Sequence, residues 1–235
     1  MNLTINTKFD VYSDTPTGKD PDGHSPTLRR YHKALWSKQL PTGGAFSLSD
    51  EHPRTYLHHK SERGEFFLSS DALTNTYRHH RAMAPIINEI PEEELDQFFY
   101  RGSTIGAYII FPARMVDGKQ NINQARGTNS KIKDRFDLTL ECIKRHYQNK
   151  GSPLSSVLAR NAEFFGLFGS FGGYIDFFHL QDMISKDRIA IEFFLPFCEF
   201  DSSPLPSNNE EYRSYMHKQV AFISARNQRI AGQVL

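Results

Sequence analysis

The spacing of apolar residues predicts helices over most of the chain. Ser25-Pro26 combines a capping side chain with a proline at the first helical position, and apolar residues then recur every three or four positions. The same period runs through 134–148 and through 210–230, which we expect to be a long amphipathic helix. Weaker helical patterns cover 70–80, starting at a Ser70 or Asp71 cap, and then 85–90, 91–100, 153–168 and 174–184.

Strand signals are fewer and shorter. Segments 55–59 and 65–69 predict a hairpin with a loop of about five residues. The run 104–111 is almost continuously apolar and ends at Pro112, which is typical of a strand buried on both faces. Segment 188–195 predicts a further strand, which Pro196 ends.

These elements predict one α+β domain over residues 1–235, with a small, mostly antiparallel sheet wrapped by six or seven helices. Residues 1–24 form an extended lead-in and a loop rich in turn residues, and no linker is long enough to separate two domains. The pattern leaves the strand order open.

Composition narrows the class of protein. The 235 residues carry 28 basic and 27 acidic side chains, and the sequence pI of about 7.8 is below the range of dedicated nucleic-acid binders. No apolar run reaches the length of a membrane span, and the first residues lack the pattern of a signal peptide. Two cysteines, Cys142 and Cys198, cannot form a disulfide framework, and we expect both to be small buried hydrophobic residues in a reduced, cytoplasmic protein.

Charge is unevenly distributed along the chain. Segment 114–135 holds six basic residues against two acidic ones, a pattern that fits either an anion site or a solvated loop. Segment 89–96 holds five acidic residues, which fits the solvated start of a helix after Pro91. The phenylalanine-rich stretch of the second half is typical of an aromatic core.

No P-loop, dinucleotide-binding, zincin or hydrolase motif is present, so the candidate chemistry rests on one polar constellation. Asp137 and Glu141 stand four residues apart on one predicted helix, with Asp134 a turn earlier. Carboxylates at this spacing are candidates for acid–base catalysis or for binding a divalent cation. The alternative is structural: Asp134 caps the helix, and Glu141 pairs with a neighbouring cation.

Six strings of the chain are long enough to be specific: GKDPDGHSPTLRRYHKALWSK (18–38), GEFFLSSD (64–71), TIGAYIIFP (104–112), NINQARG (121–127), DRFDLTLECIKRHY (134–147) and GYIDFFHLQD (173–182). These strings resemble an uncharacterised bacterial family that is catalogued as domain of unknown function number 6994. The resemblance covers roughly residues 8–230, implies one domain and implies no reaction.

Polar residues within these strings are candidates for one shared role, either an anion site or a buried network of ion pairs. Our first hypothesis is an enzyme acting on a phosphate-bearing substrate, a nucleotide or a nucleic acid, with a divalent cation as a candidate cofactor. In that hypothesis Asp137 and Glu141 are catalytic, and Asp134 joins them if a metal is bound. The substrate-binding residues are Lys19, Arg29, Arg30, Arg126 and Arg135.

The competing hypothesis is a non-enzymatic module that binds a ligand or a protein, in a stress or phage-defence setting. Tyr212, Tyr215 and Phe222 of the C-terminal helix would then contribute to a homodimer surface. Burial discriminates between the two hypotheses. Charged groups that converge on an open cleft favour the enzyme, whereas groups that pair beneath the surface favour a structural role.

Overall fold

A three-stranded antiparallel sheet lies at the centre of the fold. The computed structural model describes residues 4–53, 55–115 and 118–232. The sheet has the order β3-β4-β5, and a separate two-stranded ribbon joins β1 to β2. The strands are β1 (Lys38–Gln39), β2 (Ala45–Phe46), β3 (Leu57–Ser61), β4 (Gly64–Ala72) and β5 (Tyr108–Pro112).

Ten α-helices in the described residues surround the sheet and confirm a single α+β domain. Six of them are only four to seven residues long, which is why the sequence pattern predicted fewer. The helices are α1 (Pro21–His24), α2 (Pro26–Trp36), α3 (Ala84–Ile87), α4 (Glu92–Gly102), α5 (Ile122–Thr128), α6 (Phe136–Tyr147), α7 (Ser155–Arg160), α8 (Ala162–Gly166), α9 (Phe171–Phe177) and α10 (Asn209–Ala231).

The hairpin between β3 and β4 is tighter than its sequence predicts. Ser61 pairs with Gly64, so the turn has two residues instead of five. Gly64 has a φ of +135°, which a residue with a side chain rarely adopts. The backbone pairing of β3 and β4 therefore extends to the polar residues at the solvent-exposed end of the hairpin.

Two predicted elements are wrong. Segment 188–195 is not a strand: Ile191 makes one isolated bridge to Ile184, and the rest of this segment is an irregular chain that packs apolar residues into the core. Ser70 and Asp71 do not cap a helix, because both lie in β4. In each case a tertiary contact overrides the local pattern. The described part of the predicted lead-in, residues 4–24, also contains the one-turn helix α1.

Helix α10 packs against the 3-10 turn Ile105–Ala107 and the first residue of β5, a strand whose five residues are all buried. Arg226 donates from Nη1 to the carbonyls of Gly106 (2.8 Å) and Tyr108 (2.7 Å). Asn227 Oδ1 accepts from the Gly106 amide at 2.8 Å. A Cβ at Gly106 would lie 2.6 Å from Asn227 Oδ1 and 2.8 Å from the carbonyl of Ile223, so this close approach requires glycine.

The aromatic core is formed largely by the second half of the chain, as its phenylalanine content predicts. Tyr212, Tyr215 and Phe222 of α10 are buried in this core, so the stripe predicted as a dimer surface is already covered within the chain. Cys142 is buried, which raises its pKa to about 12, whereas Cys198 is exposed, contrary to expectation. Among the described helices, none has the length and apolarity needed to cross a membrane.

Candidate functional site

Arg135 and Asp137 form an ion pair that is closed to solvent. Both side chains are almost completely buried, and Arg135 Nε donates to Asp137 at 3.0 Å. The remaining bonds go to the backbone: Arg135 donates to the Pro204 carbonyl at 3.1 Å, and Asp137 accepts from the Phe194 amide at 2.9 Å. The pair therefore anchors the irregular segment 194–204 to the start of α6.

Arg126 is the centre of a second buried ion-pair network. Its guanidinium pairs with Asp71 and, at 3.3 Å, with Asp134, while its Nε donates to Thr139 at 3.0 Å. Asp134 does not cap α6 through its side chain; it has a φ of +64°, and it accepts from Asn75 at 3.2 Å. Arg126 is fully buried and fully engaged, so it cannot reach a ligand in this conformation.

Glu141 lies apart from Asp137 although one helical turn joins them. Its carboxylate pairs with Arg145 at 2.8 Å and with Lys144 at 3.5 Å. It lines a groove of about 620 Å³, together with residues that include Lys150 and Arg188. Because Asp137 faces the core and Glu141 faces this groove, the structure does not bring the two predicted catalytic carboxylates together.

The described residues contain no cluster of three or more histidine, cysteine or acidic side chains that could hold a metal ion. In particular, Asp134 pairs with Arg126, Asp137 with Arg135, and Glu141 with Arg145. Each of the three candidate metal ligands is thus engaged by a different arginine.

The predicted basic residues near the N-terminus occupy three different environments. Lys19 is exposed in the loop before α1, and Arg30 is exposed beside the ring of Tyr31. Arg29 is half-buried and donates from Nη2 to the carbonyls of Asp50 (2.7 Å) and Thr55 (3.0 Å). Its Nε is buried, with no hydrogen-bond acceptor in the described part of the chain, so Arg29 retains one donor for another group.

Asp22 is the candidate that sequence reasoning missed. Asp20 caps α1 through the Asp22 amide, and the resulting helical turn places Asp22 against β4. There Asp22 accepts from the Ser70 hydroxyl at 3.3 Å. Burial, followed by the neighbouring charge of Asp20, raises the pKa of Asp22 to about 7. Within the described chain, no basic nitrogen lies within 4.0 Å of this carboxyl group.

Tyr56 continues this polar contact inward. Its phenol lies beside Ser70 and close enough to Asp22 for that charge, together with the larger effect of burial, to raise the pKa of Tyr56 far above its usual value. The phenol oxygen is 3.4 Å from Nδ1 of the buried His32, and the Arg29 guanidinium is 5.7 Å from the Tyr56 ring centre. Asp22, Ser70, Tyr56 and His32 thus form a polar chain from the surface into the core.

A carboxyl group with a pKa near 7 is present in both protonation states at neutral pH, which suits a general acid or base. Arg29, at the same tyrosine, supplies a cation that can face an anionic ligand. We name the group formed by Asp22, Arg29, Tyr56 and Ser70 the Asp22 site.

The sequence contains residues that point to this site, but they lie in two separate strings. Asp22 lies in the string 18–38 and Ser70 in the string 64–71, both of which carry the family resemblance. Nothing in the spacing shows that the two strings meet, since 48 residues separate the bonded side chains. The adjacent histidines His58 and His59 are engaged within the fold: His58 pairs with Glu65, and His59 bonds to the Ser47 carbonyl.

Comparisons with known proteins place the chain without assigning it a reaction. Searches of curated proteins and of solved structures return no match. A family model matches residues 5–230, nearly the whole chain and every element that builds the Asp22 site. The protein therefore belongs to the family of unknown function DUF6994.

Proposed function

We propose that the protein is an enzyme that acts on a phosphate-bearing substrate, a nucleotide or a nucleic acid, with Asp22 as its acid–base group. The observation that carries the proposal is the environment of Asp22: a half-buried carboxyl group with a hydroxyl donor, a pKa of about 7 and, among the described residues, no cation within ion-pair distance. Structural carboxylates in this protein are instead paired with arginines.

Two basic residues, Arg29 at the Tyr56 ring and Lys19 in the loop before Asp22, support a substrate that carries phosphate. Arg29 has a buried Nε that lacks an acceptor among the described residues, and Lys19 is exposed three residues before Asp22. A protonated Asp22 adds a neutral donor instead of a repelling charge, so it can protonate a leaving oxygen while the cations bind the phosphate. We infer, from the family resemblance and the cysteine usage, that the protein is bacterial and cytoplasmic.

The binding-module hypothesis is the second candidate, and the buried ion pairs favour it. Arg126 and Arg135 serve the fold, and the groove beside Glu141 is lined by four cations, Lys144, Arg145, Lys150 and Arg188, against Glu141 and Glu199. Such a groove can hold an anionic ligand without chemistry, because none of these groups is oriented as a free acid or base.

The test is a turnover assay on the full chain with nucleoside mono-, di- and triphosphates and a short RNA, with and without magnesium, followed by phosphorus NMR. We expect Asp22→Asn to lose about 100-fold or more of the turnover, the scale of an acid–base group. The control Asp96→Asn makes the same chemical change at an exposed site on α4 and is expected to stay within about twofold of the wild type.

The pH profile separates acid–base chemistry from a structural effect. The wild-type rate is expected to change slope near pH 7, and this change is expected to disappear in Asp22→Asn. Absence of turnover on every probe, combined with a nucleotide-induced rise in melting temperature that survives Asp22→Asn, would overturn the enzyme proposal in favour of a binding module.

A further inference from the structure

Arg226, near the end of α10, is a fully buried cation whose hydrogen bonds go only to backbone carbonyls. Its Nε donates to Phe178 at 3.1 Å, and its Nη1 donates to Gly106 and Tyr108. In the described chain, no carboxylate oxygen lies within 4.0 Å of it. Burial lowers its pKa to about 9, so the group is still charged at neutral pH. Buried charges in proteins are normally paired, and this one is not paired with a protein carboxylate.

A second cation lies at the same aromatic side chain. Lys38 Nζ is 5.0 Å from the Trp36 ring centre, and the Arg226 guanidinium is 5.6 Å from it. Lys38 Nζ also contacts His179 Nε2 at 3.1 Å, and burial, with a smaller effect of the Arg226 charge, lowers its pKa to about 8. No described carboxylate lies within 4.0 Å of Lys38 either, so this part of the fold carries excess positive charge.

Several buried donors on or near Arg226 have no acceptor in the described part of the chain. Among the described residues, Arg226 Nη2, Trp36 Nε1 and the Tyr174 hydroxyl have no hydrogen-bond partner. His32 Nε2 is the fourth such atom. Burial and the Arg226 charge lower the pKa of His32 to about 3, so the ring is neutral, and if Tyr56 donates to its Nδ1, its proton is on Nε2.

The fold places these four groups in one neighbourhood. His32 and Trp36 are one turn apart on α2 and share a face. Phe178 connects the others: its carbonyl accepts from Arg226, and its ring centre is 5.1 Å from that of Trp36 and 5.0 Å from that of Tyr174.

We propose that these four donors, from Arg226, Trp36, Tyr174 and His32, form an internal binding site for a small monovalent anion of halide size. The site needs an acceptor for the unpartnered donors and a negative charge for Arg226, which has no carboxylate partner among the described residues. A bound anion supplies both. Water would accept the hydrogen bonds but leave the charge unbalanced. The inference is independent of the Asp22 site.

Trp36 is the only tryptophan of the chain, so its fluorescence reports on this site alone. The experiment titrates the full-length protein with sodium bromide, whose heavy atom quenches indole emission, at an ionic strength held constant with sodium gluconate. We expect saturable quenching that chloride reverses competitively. Quenching that rises linearly with bromide and is unaffected by chloride would overturn the proposal, because it reports collisions and not a bound ion.

A structural measurement and two variants complete the test. In a bromide-soaked crystal we expect an anomalous peak within hydrogen-bond distance of Arg226 Nη2, and a featureless map there at saturating bromide would overturn the site. Tyr174→Phe removes one proposed donor with little change of volume, and we expect it to weaken bromide binding at least about threefold. Tyr212 lies elsewhere on α10, and its hydroxyl donates to the Thr76 carbonyl. The control variant Tyr212→Phe removes that hydroxyl, and we expect this variant to bind bromide like the wild type.

Discussion

Arg135 and Arg226 are both buried arginines, but among the described residues only Arg135 has a carboxylate partner. Arg135 has a buried carboxylate partner two residues away, and each member of that pair also bonds to the backbone of segment 194–204. Arg226 has three backbone carbonyls and an aromatic ring, and no carboxylate of the described chain within ion-pair distance. The charge of Arg135 is therefore neutralised within the protein, whereas no described carboxylate neutralises the charge of Arg226.

The difference between the two arginines teaches how to separate structural from functional charges when the sequence assigns no reaction. Burial alone does not separate them, because both arginines are inaccessible to solvent. What separates them is the balance of charge and hydrogen bonds around each group. A buried charge whose partners neutralise it and satisfy its hydrogen bonds, as at Arg135, indicates a structural role. A charged or titratable group that lacks such partners among the described residues, as at Arg226 or Asp22, indicates where a ligand or a proton binds.

The largest effect is expected when the closed pair is broken. Arg135→Met leaves Asp137 as a buried charge without a partner, and we expect a loss of about 3–5 kcal/mol in the free energy of unfolding. Urea denaturation measures it. The double variant Arg135→Met/Asp137→Leu is expected to recover more than half of the loss, and a single variant within about 1 kcal/mol of the wild type would contradict the closed-pair interpretation.

Arg226→Met tests the other side of the comparison. It removes an uncompensated buried charge and leaves backbone carbonyls without donors, so the two contributions oppose each other. We expect a net loss of about 1–3 kcal/mol in halide-free buffer, smaller than that of Arg135→Met. The same urea experiment measures it, and a loss larger than that of Arg135→Met would reverse the comparison.

Asp22 is expected to give the fold a pH dependence of its own. The pKa of Asp22 is about 7 in the folded protein, whereas the ordinary pKa of an aspartate is 3.8. Folding therefore favours the protonated form. The stabilisation from this proton is complete below about pH 4 and is lost as the pH rises through 7. Between pH 5 and 7.5 we expect the wild type to lose about 1–3 kcal/mol more than Asp22→Asn.

The pH experiment has a matched control. Asp96→Asn removes an exposed carboxylate for which no hydrogen bond is described, so urea melts at each pH are expected to show the wild-type decline in that variant. Identical declines in Asp22→Asn and the wild type would show that the Asp22 pKa is not raised.

Glu141→Gln is expected to have the smallest effect. Glu141 is only 7% exposed, but it pairs with Lys144 and Arg145 at the edge of an open groove, where ion pairs contribute less than in the core. We expect a loss of about 0.5–1 kcal/mol at low salt and less at 1 M salt, by urea denaturation. If Glu141→Gln lowered the free energy of unfolding as much as Arg135→Met does, the Glu141 pairs would be as important to the fold as the buried Arg135–Asp137 pair.

Local patterns predicted the long helices well. Ser25 caps α2 through the Leu28 amide, as the Ser-Pro signal indicates, and α6 and α10 lie within a residue or two of their predicted ends. The run at 104–111 was placed correctly as a buried strand, although its first residues form a 3-10 turn before β5. These elements depend on caps and apolar periods that act over a few residues.

The sequence could not show which charged groups meet. Arg126 bonds to Asp71 across 55 residues, and Arg226 bonds to Gly106 across 120. Segment 188–195 has the composition of a strand, but the amide of Phe194 bonds to Asp137 and not to a neighbouring strand. The assignment of catalytic and substrate-binding roles to Asp137, Glu141 and the five basic residues stays a prediction, and their contacts favour structural roles for Arg126, Arg135 and Asp137.

The contact between α10 and β5 has a consequence for synthesis of the chain. The ribosome makes β5 about 100 residues before α10, so the start of this apolar strand emerges without Arg226, which later bonds to the Tyr108 carbonyl, and without Asn227, which bonds to the Gly106 amide just before the strand. An uncovered apolar edge pairs readily with other chains. We therefore expect a nascent chain that stalls before residue 209 to aggregate or to bind a chaperone, until α10 is made and packs against the start of β5.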